Sequence, residues 1–443
     1  MTEVLRPDLC VLGGGIGGIA AATEAAKLGA QVILVEKRAL GGAHLTQAIP
    51  VEAFCGAALA RRNLSSEPAD LPALRAHIKA NIAHFARLAR PARLAALNIG
   101  IIRAAGSFSS ATRLEAGGFA IDARYFIVAT GSLPAPAPIA GLEFARPLEP
   151  EALAGLESLP SELAVIGASR RELSLAQAFL RLGSKVSLVV SGTILPEEDQ
   201  ELVLPVLASL RREGLTIHEY EGALKFEPLR AGVRIIPGKG PVVDATHVIV
   251  GPRLLPCVEG FGLKAARVAY GLEGIEADAE GRTSNPRIYA VGGVLGGSGS
   301  GVLTQHQGEF VAAALFGQRR PAPLVARILA TDPEMATVGL SELAARARHK
   351  QIRVIRAPFS ENARALGTFG RSGHVKIVTN SHGLILGAGI VGPQARELIG
   401  IFTLAIAKQM KASDFDAIVA NAPTLAEALR AAALASVPQV GKT

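Results

Sequence analysis

Five glycines in six positions constrain this chain more than any other feature. Gly13-Gly14-Gly15-Ile16-Gly17-Gly18 separates an apolar run, Asp8-Leu9-Cys10-Val11-Leu12, from an alanine-rich stretch, Ile19 to Leu28. The run reads as a buried strand and the stretch as a helix, with a tight turn between them. Gln31-Val32-Ile33-Leu34-Val35-Glu36 is the next strand, which completes a βαβ unit. Gly13, Gly15 and Gly18 hold the G-x-G-x-x-G spacing, and an acid, Glu36, ends the second strand. In such a turn Gly13 makes the bend, Gly15 lets a pyrophosphate reach backbone N–H groups, and Gly18 lets helix and strand pack closely. Glu36 is positioned to accept hydrogen bonds from an adenosine ribose. The bland alternative is a unit of the same shape that holds no ligand.

A second unit repeats the architecture without the fingerprint. Leu163-Ala164-Val165-Ile166-Gly167 leads into a helix, Leu173 to Leu182, and Lys185-Val186-Ser187-Leu188-Val189-Val190 is its next strand. The glycine positions read Gly167, Ser169 and Glu172, and the strand ends at Val190-Ser191 with no carboxylate. Ser169-Arg170-Arg171-Glu172 instead matches a capping box, which satisfies the helix N–H groups internally. Glu172 also places negative charge where a phosphate would bind, and Arg170 and Arg171 offer partial compensation. Nicotinamide dinucleotide binding is therefore not expected here.

Further on, Arg287-Ile288-Tyr289-Ala290-Val291-Gly292 reads as a strand returning to the first sheet. A loop from Gly296 to Gly301 and a helix through Phe316 follow. After Gln318-Arg319-Arg320-Pro321-Ala322-Pro323 the pattern is α+β. Its strands are at Val375-Lys376-Ile377-Val378 and Leu384-Ile385-Leu386-Gly387, and its helices at Ala395 to Lys408 and Leu425 to Ala435.

Length agrees with three domains: 443 residues at about 150 per domain. Hydrophobic residues make up 49% and charged residues 19% of the chain, which excludes a disordered chain or coiled coil. No uninterrupted apolar stretch reaches about 18 residues, and no signal-peptide pattern opens the chain, so no membrane association is expected. The net charge of +8 reads as spread along the chain without a basic run, which argues for solubility and against nucleic acid. A cytoplasmic protein is the expectation. Three cysteines make no disulfide framework and no metal set: Cys10 and Cys55 read as core, and Cys257 as a loop residue without a role.

Taken in order, several motifs resemble the flavoprotein disulfide reductases, the family of dihydrolipoamide dehydrogenase and mercuric reductase. They are Val35-Glu36-Lys37 with Leu40-Gly41-Gly42, Ile127-Val128-Ala129-Thr130-Gly131-Ser132 with Pro134, and Thr283 through Tyr289-Ala290-Val291-Gly292. Asp332-Pro333-Glu334-Met335-Ala336-Thr337-Val338-Gly339-Leu340, Asn362-Ala363-Arg364-Ala365 and Gly387-Ala388-Gly389-Ile390-Val391-Gly392 are similar to its dimerisation domain. The resemblance implies an α/β protein with two Rossmann-like domains and a C-terminal α+β dimerisation domain. An FAD domain at 1–148 and 272–320 is interrupted by a nicotinamide-type domain at 149–271, with the dimerisation domain at 321–443. Gly13, Gly15, Gly18, Glu36, Gly42, Ala129, Thr130, Gly131 and Gly292 are the implied FAD contacts.

The family's redox disulfide follows its G-G pair, and here that segment reads Gly41-Gly42-Ala43-His44-Leu45-Thr46-Gln47-Ala48. His44 and Ala48 stand where cysteines are expected, in a loop one residue shorter, and thiol exchange needs two thiols. The lysine–glutamate pair that the family sets beside the flavin reads Glu52 and Ser174, and the flavin-side aspartate reads Gly293. The histidine–glutamate base motif reads Ala422-Pro423-Thr424-Leu425-Ala426-Glu427, so Glu427 survives without its imidazole, and Asn421 cannot act as a base. Two readings of His44 are open: a hydrogen-bond or proton donor to the flavin, or a loop filler. Gly296 to Gly301 either lets backbone approach the flavin or is simply a loop. His306 reads as helix packing.

Two functions follow as expectations. The first is a homodimeric FAD-dependent oxidoreductase working without a disulfide relay, with His44 and Glu427 as candidate catalytic residues and NAD(P)H use doubtful. The second is a non-catalytic relative kept as a dimeric binding or assembly protein.

Overall fold

The computed structural model describes residues 3–61, 69–135, 137–145, 147–251, 253–297, 300–368, 372–417 and 423–435. The glycine-rich turn sits at the end of a five-stranded parallel sheet ordered Ile288–Ala290, Tyr125–Val128, Leu9–Leu12, Val32–Val35, Ile99–Ile102. The outermost strand, Ile288–Ala290, comes from far along the chain and pairs with Tyr125–Val128. The inner strands are buried on both faces and rich in Val, Ile and Leu, as parallel strands covered by helices are, while Ile99–Ile102 at the edge is only partly covered. The first helix runs Ile16–Lys27, three residues earlier than the periodicity suggests, because the glycine turn leads straight into it with Gly15 as its N-cap.

The second sheet is also parallel, ordered Thr216–Glu219, Lys185–Val190, Glu162–Ile166, His247–Val250. Its first helix, Arg170–Leu182, is buried along nearly its whole length. It packs on the helix Ile49–Leu59 through Phe54 and Phe179, whose ring centroids are 4.7 Å apart. A third sheet is antiparallel: Arg327–Leu329, Glu334–Gly339, Ile385–Gly392, His374–Asn380, Ile352–Pro358. Helices Ala395–Ala407 and Ala426–Ala435 close a core over it that includes Phe402, Phe415 and Leu429. This is a mixed α/β fold in the order the sequence motifs imply.

Charged side chains join these parts. Buried Arg181 donates to Glu213 Oε2 at 2.9 Å, to Asp332 Oδ2 at 2.9 Å and to the Leu59 carbonyl at 3.2 Å. Buried Lys376 reaches Asp199 Oδ2 and Glu342 Oε2, each at 2.9 Å, and also Glu201. Arg356 pairs with Glu201 and Arg346 with Glu342, each at 2.6 Å, so three cations balance the three carboxylates of this network.

Candidate functional site

The first turn is tight where it must bend and open where a ligand would come. Gly13 has φ +113°, and a Cβ on it would lie 2.3 Å from the Ala129 carbonyl oxygen. A Cβ on Gly18 would lie 1.9 Å from the Gly13 carbonyl oxygen, so only glycine permits this contact. At Gly15, by contrast, a Cβ would meet nothing within 4 Å. The helix Ile16–Lys27 has no side-chain cap and no acid in its first turn, so its first N–H groups remain available to an anion. Glu36 is fixed beside them: its carboxylate accepts from Gly14 N at 2.6 Å and from Arg38 N at 2.7 Å.

The other expected contacts converge on the same end of the sheet. Gly41 N donates to the Gly14 carbonyl at 2.8 Å, and Gly42 lies against Gly15. Ala129 N donates to the Leu12 carbonyl at 2.8 Å. Thr130 Oγ1 donates to the Cys257 carbonyl at 2.8 Å, and Cys257 N returns to the Gly131 carbonyl at 2.9 Å. Gly292 N donates to Gln307 Oε1 at 3.1 Å. Gly293 touches Ser132: a Cβ there would stand 2.9 Å from Ser132 N, so this backbone has no room for a side chain.

The second turn is closed by its own side chain. Glu172, only 3% exposed, accepts from Ser169 N at 2.9 Å. Its carboxyl group lies 3.6 Å from a Cβ position on Gly167 and 3.4 Å from one on Gly251, so it fills the mouth of the turn. Of the two arginines that offer compensation, Arg171 stays beside Glu172 and Arg170 is spent elsewhere. Arg170 pairs with Glu197 at 3.1 Å and with Glu198, and Arg171 lies 3.5 Å from Glu172.

The segment from His44 to Ala48 is not a loop but a π-helical turn continuous with the helix Ile49–Leu59. Ile49 N donates to the His44 carbonyl, a wide i to i−5 bond. Pro50 explains it, because proline lacks the N–H that an ordinary turn would supply next. His44 is half-buried, and its Nδ1 is buried without a hydrogen-bond partner among the described residues. A Cβ on Gly301, at the start of the helix Gly301–Leu315, would stand 2.9 Å from that nitrogen. Phe85 meets the imidazole edge-on, with centroids 6.2 Å apart. Burial pushes the imidazole below its ordinary pKa and favours the neutral ring.

Other candidate positions have found partners. Glu52 pairs with Arg396 Nη1 at 2.5 Å, and Glu334 accepts from Arg396 N at 3.0 Å. Ser174 Oγ donates to the Arg170 carbonyl at 2.9 Å. Glu427 accepts from Thr424 N at 3.1 Å, which makes it a cap for its own helix. Asn421, Ala422, Ser298 and Gly299 lie outside the described residues. His306 does not pack inside: it is exposed and lies 3.2 Å from Glu309. Cys10 and Cys55 are buried, and burial pushes both thiols up, so neither supplies a thiolate.

One feature was hidden by averaging. Residues 71–102 contain Arg75, Lys79, Arg87, Arg90 and Arg93 and no acid, so they carry +5 of the chain's +8. The excess charge is therefore not spread evenly.

The family model for pyridine nucleotide-disulphide oxidoreductases matches residues 7–315, and that for their dimerisation domain matches residues 325–433. The chain belongs to this family. It is 33% identical to a dihydrolipoyl dehydrogenase of Thermus scotoductus, over 96% of each chain. It is 31% identical to a dihydrolipoyl dehydrogenase of Pseudomonas aeruginosa, over 98% of each. Among solved structures, LpdA of Mycobacterium tuberculosis superimposes with a TM-score of 0.87 at 26% identity, covering 98% of this chain and all of that one. Within this oxidoreductase family, the first turn keeps the features of a dinucleotide cradle and the second does not.

Proposed function

We propose that this chain is an FAD-dependent oxidoreductase of its family that pairs into a homodimer through its C-terminal domain and works without a disulfide relay. The open N-terminus at Gly15, beside a Glu36 carboxylate already held in place, carries this reading. The fit to FAD is good at the dinucleotide end. Gly13 and Gly18 set the cradle, Gly15 and the following N–H groups would take the pyrophosphate, and Glu36 would take the ribose. The segment from Ala129 to Gly131, with Gly42 and Gly292, would border the flavin half. When bound, FAD supplies the two-electron chemistry, and the protein supplies position and electrostatics.

His44 is the residue toward which that chemistry points. Its orphaned Nδ1 is a buried polar atom in need of a partner, and the neutral ring offers a hydrogen bond without adding charge. The three cysteines are Cys10, Cys55 and Cys257, none of them in the segment from Gly41 to Ala48. The filled second turn supports the reading that neither NADH nor NADPH is the donor.

The re-partnered Glu52, Ser174 and Glu427 favour a second reading, a dimeric binding or assembly protein without catalysis. Purification decides between them. A yellow protein that releases FAD on denaturation supports the oxidoreductase, and a colourless one that cannot be reconstituted with FAD excludes it. With flavin present, anaerobic titration with NADH and NADPH is expected to leave the flavin absorbance unbleached.

A further inference from the structure

We propose that the helix Leu71–Ala86 and the turns after it form a docking face for an acidic protein surface beside the His44 site. Asp70 caps this helix, its side chain accepting from Ala73 N at 2.9 Å. Leu74 and Ile78 are buried against the core, and Phe85 touches His44, so the helix is a wall of the candidate site. On its outer side Lys79, Arg87, Arg90 and Arg93 are exposed and Arg75 is half-buried. None of the five has an ion pair or side-chain hydrogen bond among the described residues.

That arrangement is unfavourable for the isolated chain. Arg75 and Lys79 are four apart on one helix, where like charges repel, and no acid lies within the segment to relieve them. The cations at the second turn behave otherwise: Arg170 and Arg171 lie against carboxylates. Unrelieved charge next to a candidate site is what steers an oppositely charged partner to it.

The size and texture of the face select the partner. From Arg75 to Arg87 the helix rises about 18 Å, which is wider than a small anion. The intervening Ala76, Ala80 and Ala83 leave it nearly flat. Asn81 folds back on the helix, its Nδ2 donating to the His77 carbonyl at 3.0 Å, and the one phenyl ring, Phe85, is turned to His44, so beside the exposed His77 and His84 the face offers little to read or stack nucleic-acid bases. Leu74 and Ile78 are already buried and Leu88 is the one large apolar side chain exposed along it, which leaves little to insert into a lipid surface. An acidic protein face remains. That this partner exchanges electrons rests on the oxidoreductase reading; the docking does not.

The test uses the full-length protein as isolated, with and without flavin, and poly-L-glutamate as the acidic probe. At about 50 mM salt the protein is expected to bind the probe, and at about 300 mM the affinity is expected to fall steeply. Replacing Arg87, Arg90 and Arg93 by Gln should weaken binding about tenfold, while replacing them by Lys should preserve it. All three side chains are exposed, so an unchanged melting temperature checks the fold. No binding, equal binding by the Gln variant, or tighter binding to duplex DNA or phosphatidylserine vesicles would overturn the proposal. Flavin content is read separately, so failure of either idea leaves the other standing.

Discussion

The two βαβ units have the same topology and opposite interiors at the point where a nucleotide would enter. At the first turn the helix begins bare, with open space at Gly15 and no acid in the opening turn. At the second, Glu172 turns back on its own helix and fills the mouth between Gly167 and Gly251. The same strand–turn–helix frame thus leaves its first turn open in one case and fills it with a side chain in the other. The frame is shared; the residue at the third glycine position, Gly18 or Glu172, differs.

The comparison can be broken most forcefully at the second unit. Lys376→Met leaves Asp199, Glu201 and Glu342 without their shared buried cation and is expected to cost about 3 kcal/mol or more, read from the denaturant midpoint. An unchanged midpoint would mean that the second unit is not fastened to the C-terminal sheet as described. Gly18→Ala forces a methyl group onto the Gly13 carbonyl. A loss of about 2 kcal/mol, together with loss of bound flavin, is expected, and full flavin content in this variant would remove the cradle from the proposal.

Glu172→Gly sharpens the contrast from the other side. Losing the carboxylate cap should cost about 1 kcal/mol and reopen the turn. Gain of NADH or NADPH binding by calorimetry is the expected signature; binding of equal strength in the unmodified protein would refute the plug. A smaller effect is the acid sensitivity of the second unit. Hydrogen bonds from Lys376, then Arg346, hold the Glu342 carboxyl at about 2, below its ordinary 4.5. Its contribution is therefore full above about pH 4.5 and fades as pH falls toward 2, so Glu342→Gln should flatten stability over that window. The smallest effect is reserved for His44→Ala, which should shift the flavin absorbance with little change in melting temperature.

Much of this was legible from sequence because glycine spacing and apolar strands are local signals. The turn at Gly13 to Gly18, the capping pattern at Ser169 and Glu172, and the α+β ending all depend on neighbours within a few residues. What escaped depends on distance or averaging. Glu52 and Arg396 are 344 positions apart, and nothing in either segment announces the pair. The widened turn at His44 follows from Pro50 but looks like a loop when only residue types are compared. Glu427 carries the family's base motif by position, yet the nearest donor claims it as a helix cap. The basic helix was in plain view and was lost in a whole-chain charge.

Arg181 gives the second unit a consequence for how the parts of the molecule are held together. Its single guanidinium holds the last turn of the helix that carries His44, the Glu213 end of the second unit, and Asp332 at the edge of the C-terminal sheet. One side chain is enough to fill a turn, as Glu172 does here. The domain around it cannot be discarded so easily, because three parts of the molecule take their mutual alignment from it. Such a chain would hold its full-length frame whether or not its second turn takes a ligand.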